Sequence, residues 1–398
     1  MCDSARGLLD FGPSGADRPV ETYQSPFGDI QLARWPQRKV ETLRAWDAAD
    51  EYILNYLHEN ELVGADKVPR ILIANDGFGA LSCALHKWNP DNWSDSVVSQ
   101  FAAKENLSLN VSDASLSAMD SLQTLEGQYD IVLIKVPKTT SFLEDQLTRL
   151  RPHLKEDTVI IAAGMLKHLQ KSAFQCFEKI IGPVTTSLAK KKARLIFAKL
   201  DTAIKATDNP YPTQYTEPSV GFALSNHANL FSREHLDIGA RFFLSQLDQL
   251  PSAERVVDLA CGNGVLGIKY QQQYQAAQMT FLDESYMAVD SAKQNYLSVF
   301  PDNTAGASFQ AADGLKGIED VSVDLILCNP PFHQQHVVGE QIAIDMFKES
   351  KRCLAQGGTL WVVANIHLAY QAKLSKLFGN CRTVATNKKF AVLRAVKR

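Results

Sequence analysis

The tetrapeptide Asn329-Pro330-Pro331-Phe332 is the stretch of this sequence whose residue types most directly suggest chemistry. The carboxamide oxygen of Asn329 and the backbone carbonyl of Pro330 can together accept two hydrogen bonds from one planar NH2 group. Neither proline carries an N–H that would compete for these acceptors. The ring of Phe332 can stack on a flat base that bears such an amine. The motif therefore predicts a site for an exocyclic amine or amide nitrogen, although most Pro-Pro pairs simply form turns.

An apolar run at 323–327 precedes this motif and is typical of a buried strand. Similar runs recur on both sides of a Pro-rich, polar segment near residue 210, at 70–74, 96–98, 129–134, 158–163, 194–199, 255–259, 279–283 and 359–364. Segments with helical periodicity separate these runs. The alternation predicts an α/β fold with doubly wound, mostly parallel sheets and an antiparallel hairpin at the C-terminal end.

The two halves of the chain repeat the same order of landmarks. A Gly-x-Gly turn follows a strand in each half, at Gly77 and Gly79 and again at Gly262 and Gly264. The strand ends at 135 and 329 and the hairpins at 191–192 and 388–389 recur in the same order, and all these landmarks are about 190 residues apart. This constant offset indicates an internal duplication. We therefore expect one domain over 1–205, a linker over 206–225 and a second domain over 226–398.

The composition excludes several classes of protein. With 398 residues, of which 45% are hydrophobic and 21% charged, the chain resembles a globular protein of more than one domain. No apolar run approaches the roughly 20 residues needed to cross a bilayer, and the N-terminus lacks the pattern of a signal peptide. The cysteines form no Cys-x-x-Cys pair, so neither a metal site nor a disulfide framework is indicated. We expect a cytoplasmic protein with reduced thiols.

The second Gly-x-Gly turn has residues beside it that could bind a cofactor. Gly262 and Gly264 let the backbone approach a ligand closely, and the helix that follows offers free N–H groups. Gly267 completes a Gly-x-Gly-x-x-Gly pattern, which by itself fits several nucleotide cofactors. Asp258, just before this turn, would direct a carboxylate at the site, which suits an ammonium group better than a pyrophosphate.

Two further acids follow later strands. Asp283 could hold two ribose hydroxyls, and Asp313 could accept a hydrogen bond from an adenine amine. Taken singly, each of these acids is more readily explained as a loop cap. Their order along successive strands, ending at Asn329, is far more specific.

This ordered set resembles the class I S-adenosylmethionine-dependent methyltransferases, and the motif at 329–332 is similar to that of the branch that methylates amino groups. With His333, with Phe231-Ser232 upstream and with a degenerate first copy, the chain is most similar to the bacterial ribosomal RNA guanine-N2 methyltransferases. The resemblance implies two tandem Rossmann-like methyltransferase domains that use S-adenosylmethionine to methylate the N2 of a specific guanine. Within this family, the stretches at 328–336 and 378–381 are most similar to the large-subunit enzymes, which implies 23S rRNA rather than 16S rRNA as the substrate.

The resemblance also implies a role for each site residue. The catalytic residues would be Asn329, Pro330 and Phe332. The residues expected to bind the cofactor are Phe231, Asp258, Gly262, Asn263, Gly264, Asp283, Asp313 and Asn329. The two acceptors at 329 and 330 would take the N–H hydrogens of guanine N2 and aim its lone pair at the methyl, so that positioning supplies most of the rate. The base must leave its stack to reach them.

The first copy lacks these groups, because Ile73 takes the place of Asp258 and Lys135 that of Asn329. We therefore expect it to be catalytically inactive and to bind or position RNA. A net charge of −3 excludes a generally basic surface, so RNA contacts would be local. The candidates for phosphate contacts are Lys135, Lys138, Lys190, Lys191, Lys192, Arg194, Lys388 and Lys389. A solvated basic face explains the same residues.

Three alternatives to 23S rRNA methylation stay open. The same guanine-N2 chemistry on 16S rRNA differs only in the detail near residue 335. Methylation of a protein glutamine is disfavoured by the basic, inactive first copy, which a peptide substrate does not need. A non-catalytic RNA-binding assembly factor is disfavoured by the intact Asp258, Asp283 and Asn329.

Overall fold

The computed structural model describes residues 19–37, 41–113, 115–303, 305–331 and 336–398, the last range with side chains from residue 339. The described residues divide into two compact units. The N-terminal unit ends at Tyr211, and the C-terminal unit runs from Pro212 to Arg398. The division falls inside the segment that we expected to be a linker. No helix among the described residues is long and apolar enough to span a bilayer.

The N-terminal unit alternates strands and helices in chain order. Its elements are β1 (Glu21–Ser25), β2 (Gly28–Leu32), α1 (Ala48–Glu59), β3 (Ile71–Ala74), α2 (Ala80–Ala84), β4 (Asp91–Ser94), α3 (Val97–Asn110), β5 (Ser117–Asp120), β6 (Tyr129–Lys135), α4 (Thr140–Leu150), β7 (Leu154–Met165), α5 (Lys171–Ile180), β8 (Val184–Thr186) and β9 (Ala193–Ala198). Strands β1 and β2 form a hairpin. The other described strands form one sheet in the order β5-β4-β3-β6-β7-β9-β8, parallel except for β9, which runs antiparallel to both neighbours.

The C-terminal unit repeats this arrangement. Its elements are β10 (Thr213–Thr216), β11 (Ala223–Asn226), α6 (Ile238–Leu244), β12 (Arg255–Leu259), α7 (Val265–Gln273), β13 (Gln278–Asp283), α8 (Tyr286–Val299), β14 (Ala307–Ala311), β15 (Val323–Cys328), α9 (His336–Cys353), β16 (Leu354–Asn365), α10 (Tyr370–Phe378), β17 (Arg382–Thr386) and β18 (Phe390–Val396). The described part of its main sheet has the order β14-β13-β12-β15-β16-β18-β17. The identical connectivity confirms the predicted fold of two tandem, doubly wound units.

Alternate residues of the central strands face two different cores. Val256 and Leu325 pack with α6 and α7 on one face, and Val257 and Ile326 pack against the other face. This pattern follows from the two-residue period of a strand whose sheet is covered by helices on both sides. Asp258 continues the series from Val256 and is therefore directed to the α6 and α7 face.

Two local expectations from the sequence were wrong. The run at 96–98 was expected in a strand, but the side-chain oxygen of Ser96 accepts a hydrogen bond from the N–H of Ser99 at 3.1 Å, so that α3 begins at Val97. The expected linker contains the β10–β11 hairpin. Leu224 of this hairpin is fully buried, and Ser225 exchanges backbone hydrogen bonds with the Asn295 side chain of α8. The hairpin is therefore part of the C-terminal unit.

Candidate active site

The loop between β12 and α7 is shaped by its glycines. Gly262 and Gly264 have φ values of 54° and 77°, which side chains rarely adopt. A Cβ on Gly264 would lie 2.9 Å from the Cβ of Ala292 on α8, and one on Gly267 would lie 2.5 Å from the ring of Phe281. The predicted Gly-x-Gly-x-x-Gly pattern thus reflects both the turn and the close packing of α7 on its neighbours.

Asp258 lies beneath this loop and is only 1% exposed. Its Oδ2 accepts a hydrogen bond from the backbone N–H of Gly267 at 2.8 Å. Burial, and to a smaller extent the charge of Asp283, raises the pKa of Asp258 to about 7. A cation placed beside this carboxyl would favour its charged form and lower the pKa again. The site is therefore suited to a positively charged ligand group.

Asp283 joins the glycine loop to the end of β13. Its Oδ2 accepts the N–H of Gly262 at 3.0 Å, and its Oδ1 accepts the N–H of Ser285 at 3.1 Å. Asp313 follows β14 and forms an ion pair with Lys316, three residues further along the same turn. Asp283 thus ends the strand that neighbours β12, Asp313 follows the next strand outward, and both also hold local structure.

Asn329 follows β15, and its carboxamide has one end paired and one end open. The Nδ2 donates to Oδ2 of Asp237 at 3.2 Å. The Oδ1 is buried and has no hydrogen-bond partner within the described ranges. A carboxylate can only accept, so the nitrogen must face Asp237 and the oxygen must face away from it. A buried acceptor without a donor is costly, and a ligand N–H would satisfy it. Pro330 is buried next to it, and Phe332 lies outside the described residues.

Asp237 is a site residue that the sequence reasoning missed. It caps α6, with Oδ2 accepting the N–H of Ala240 at 2.8 Å. A Cβ on Gly239 would lie 2.9 Å from this Oδ2 and 3.6 Å from Oδ1 of Asn329, so the first turn of α6 packs directly on the Asn329 amide. The available signal was an Asp just before a helical pattern, which indicates an N-cap but not a long-range partner.

The other two predicted cofactor residues differ in their surroundings. Asn263 in the glycine loop donates from Nδ2 to Oδ1 of Asn226 at 3.2 Å, and its backbone carbonyl accepts from Nδ2 of Asn295 at 3.0 Å. The β10–β11 hairpin and α8 therefore hold the loop in place. Phe231 lies between β11 and α6 and is 63% exposed.

The matching position in the N-terminal unit is filled by ion pairs. Ile73 lies opposite Leu133, as Asp258 lies opposite Leu327, so Lys135 stands at the position of Asn329. Lys135 Nζ donates to Oδ1 of Asp47 at 2.7 Å and to Oδ1 of Asp50 at 2.5 Å. Burial opposes the charge of Lys135, but the two carboxylates outweigh it and raise its pKa.

This pairing corrects one of our expectations. Lys135 was a candidate for a phosphate contact, but its side chain is only 16% exposed and is paired with two acids of its own unit. The glycine loop of this unit has also changed. Asp76, in the loop after β3, accepts both the N–H and the hydroxyl of Ser82 at 2.8 Å, as Asp258 accepts the N–H of Gly267. A carboxylate thus still anchors the helix, but it comes from the loop.

The remaining basic candidates, apart from Lys138 between β6 and α4, lie in or near the β8–β9 and β17–β18 hairpins and differ in how they are held. Lys191 pairs with Glu51 at 2.6 Å, and Lys190 lies over the ring of Tyr52. Arg194 is half-buried. The exposed candidates include Lys138, Lys192, Lys388 and Lys389, the last of which lies over the ring of Phe390.

Comparison with known proteins gives the family. Residues 20–202 match the RLMG N-terminal domain, and residues 221–394 match the methyltransferase small domain. The chain is 46% identical over 377 residues to a ribosomal RNA large subunit methyltransferase G of Ectopseudomonas mendocina, covering 94% of this chain and 99% of the relative. It is 44% identical over 370 residues to that of Yersinia pestis, covering 92% of each chain. This chain belongs to the ribosomal RNA large subunit methyltransferase G family.

Methyltransferase G membership confirms the predicted resemblance and enzyme class. A solved structure supports the fold over almost the whole chain, namely a T. thermophilus 16S rRNA N2 methyltransferase in complex with AdoMet and guanosine. It covers 95% of this chain and 98% of its own length, with a TM-score of 0.73 and 18% identity. The likeness extends over both units, which agrees with the duplicated topology.

Proposed function

We propose that this member of the family transfers a methyl group from S-adenosylmethionine to the exocyclic N2 of a specific guanine in 23S rRNA. The observation that carries the proposal is the buried Oδ1 of Asn329, an acceptor that has no partner among the described residues. A planar amine supplies the N–H that this oxygen lacks. The curated relatives are named for the large ribosomal subunit, which favours 23S rRNA over 16S rRNA.

The residues at the glycine loop fit S-adenosylmethionine. Asp258 is a deeply buried carboxyl whose raised pKa a cation would lower, and the cofactor carries an ammonium group. Gly262 and Gly264 leave two backbone positions of the loop without side chains, and Asp283 stands at the end of the next strand, where ribose hydroxyls are held in related folds. Phe231, Asn263 and Asp313 complete the proposed cofactor site.

The protein's part in the reaction is mainly positioning. The chemistry that S-adenosylmethionine supplies when bound is a methyl group made electrophilic by a sulfonium. Asn329 Oδ1 and the Pro330 carbonyl accept the two N–H hydrogens of guanine N2, which draws its lone pair out of the ring and toward the methyl. One N–H proton leaves to solvent once the N–C bond has formed, so no strong base is needed. Phe332 stacks on the flipped guanine.

The N-terminal unit binds rRNA rather than cofactor in this proposal. Lys135, Asp47 and Asp50 occupy the position that corresponds to the Asn329 site. The phosphate contacts of the N-terminal unit come from the lysines that reach solvent, chiefly Lys138 and Lys192, and Lys388 adds a contact from the C-terminal unit. The substrate is free or early-assembling 23S rRNA in the cytoplasm.

The test is to map N2-methylguanine in both rRNAs of a strain that lacks this protein. The expected result is one unmethylated guanine in 23S rRNA, which is methylated again when the protein and S-adenosylmethionine are added to free rRNA or to subunits. A change confined to 16S rRNA, or no change in N2 methylation, would refute the proposal.

A further inference from the structure

We infer that Asp237 is a positioning residue that determines which end of the Asn329 carboxamide faces the substrate. The inference rests on the proposed function, since it concerns the acceptor that would hold guanine N2. Asn329 Nδ2 donates to Oδ2 of Asp237 at 3.2 Å, and Asn329 Oδ1 is the buried acceptor.

Asp237 fixes this orientation because its carboxylate can only accept hydrogen bonds. If the amide of Asn329 rotated by half a turn, its oxygen would face a carboxylate oxygen, and both are acceptors. Its NH2 would then face the substrate amine, which brings donor against donor. The rotated amide therefore loses its own hydrogen bond and also repels the substrate. An amide held only by water, which can both donate and accept, would have no such preference.

Asp237 is itself held rigidly. Its Oδ2 accepts the N–H of Ala240 at 2.8 Å as the N-cap of α6. The backbone of Gly239 approaches so closely that a Cβ would lie 2.9 Å from the same oxygen and 3.4 Å from the ring of Phe390. The carboxylate is thus held at the end of α6, and its hydrogen bond to Nδ2 in turn holds the Asn329 amide.

The N-terminal unit gives independent support. Asp47 caps α1 there, as Asp237 caps α6, and its Oδ1 accepts from Ala49 at 2.8 Å. The residue at the Asn329 position in that unit is Lys135, which also donates to the cap, at 2.7 Å. The contact between a capping carboxylate and a donor has persisted in both copies. Lysine satisfies the cap but offers no acceptor, whereas asparagine offers a donor at one end and an acceptor at the other.

The experiment compares turnover of the full-length enzyme on 23S rRNA with S-adenosylmethionine affinity for three variants. Asp237→Ser keeps a favoured helix cap but is too short to reach Asn329. Asp237→Asn keeps one oxygen that can accept from both Ala240 and Asn329. Ser96→Ala is the matched control, because it removes the side-chain cap of α3 in the other unit.

The expected kcat of D237S is lower than that of the wild type by about tenfold or more, with unchanged affinity for S-adenosylmethionine. D237N keeps most of the wild-type kcat, and S96A has the wild-type kcat. The double variant D237S/N329A turns over no more slowly than N329A alone, since Asp237 acts through Asn329.

Three results would overturn the inference. These are a D237S kcat within twofold of wild type, a D237N loss equal to that of D237S, and a further loss when D237S is added to N329A. Wild-type enzyme that makes no N2-methylguanine would instead overturn the proposed function. A normal wild-type product with undiminished D237S turnover overturns the role of Asp237 alone.

Discussion

Replacing Lys135 by alanine tests the account of the N-terminal unit, because this lysine neutralises two acids at the position equivalent to Asn329. Asp50 is the important partner, since its side chain is only 8% exposed, whereas that of Asp47 is 48% exposed and is screened by water. Removing one partner of a buried ion pair usually costs 3–5 kcal/mol. Because only one of the acids is deeply buried, we expect a loss of about 3 kcal/mol in the free energy of unfolding.

The loss in K135A depends on pH with a definite sign. Burial, opposed by Lys135, raises the pKa of Asp50 to about 6, and removal of Lys135 raises it further. A carboxyl whose folded pKa lies above its unfolded value, about 3.9, contributes stability at low pH that is lost as the pH rises through the folded pKa. The destabilisation by K135A is therefore larger at pH 8 than at pH 5.

Denaturant unfolding of the full chain, followed by tryptophan fluorescence, measures this effect. Four of the 5 tryptophans, at 35, 46, 88 and 93, belong to the N-terminal unit, so the signal reports mainly on that unit. The second variant K135A/D50N should recover most of the loss at pH 8. The control is Lys191→Ala, which removes an ion pair whose lysine is 74% exposed and should change stability little. Equal midpoints for K135A and K191A at both pH values would refute the reasoning.

The remaining predictions concern the cofactor and the RNA. Asp258→Asn should weaken S-adenosylmethionine binding by about tenfold or more, as measured by calorimetry, because a charge-assisted hydrogen bond to the ammonium is lost. The pKa of Asp258 is raised to about 7, so its ionisation costs stability as the pH rises from about 4 to 7. Without cofactor, the free energy of unfolding of D258N should therefore increase relative to that of the wild type between pH 4 and pH 8. Unfolding experiments at both pH values measure this difference. Lys192→Glu should weaken rRNA binding and reduce its dependence on salt concentration. Lys191→Glu should have a smaller effect, because Lys191 is already paired with Glu51. Equal effects of the two variants in salt titrations of rRNA binding would contradict this.

Much of the fold could be predicted because its signals are local. Apolar runs marked most of the parallel strands, and the Gly-x-Gly turns marked the loops that lead into α2 and α7. The equivalence of Lys135 and Asn329 followed from constant spacing between the halves, and the strand registers confirm it. Val97 was misplaced because a β-branched pair indicates a strand, while the helix cap of Ser96 decided the structure.

The missed features depend on contacts between distant segments. Asp237 lies 92 residues before the Asn329 that it orients, and Lys135 lies 88 residues after Asp47. Spacing along the chain gives no sign of such pairs, so Asp237 was overlooked and Lys135 was expected at the surface. The β10–β11 hairpin was taken for a linker because prolines precede it and one lies between its strands, although Leu224 and Asn226 are buried in the C-terminal unit.

The most direct test of the central claim is the turnover of Asn329→Ala on 23S rRNA, measured together with its affinity for S-adenosylmethionine. If Asn329 Oδ1 holds the guanine amine for attack, kcat should fall by about a hundredfold or more, as when one preorganised polar group is removed from an active site. The dissociation constant for S-adenosylmethionine should change by no more than a few fold. Turnover within twofold of wild type would show that the amine is aligned by other groups and would contradict the account.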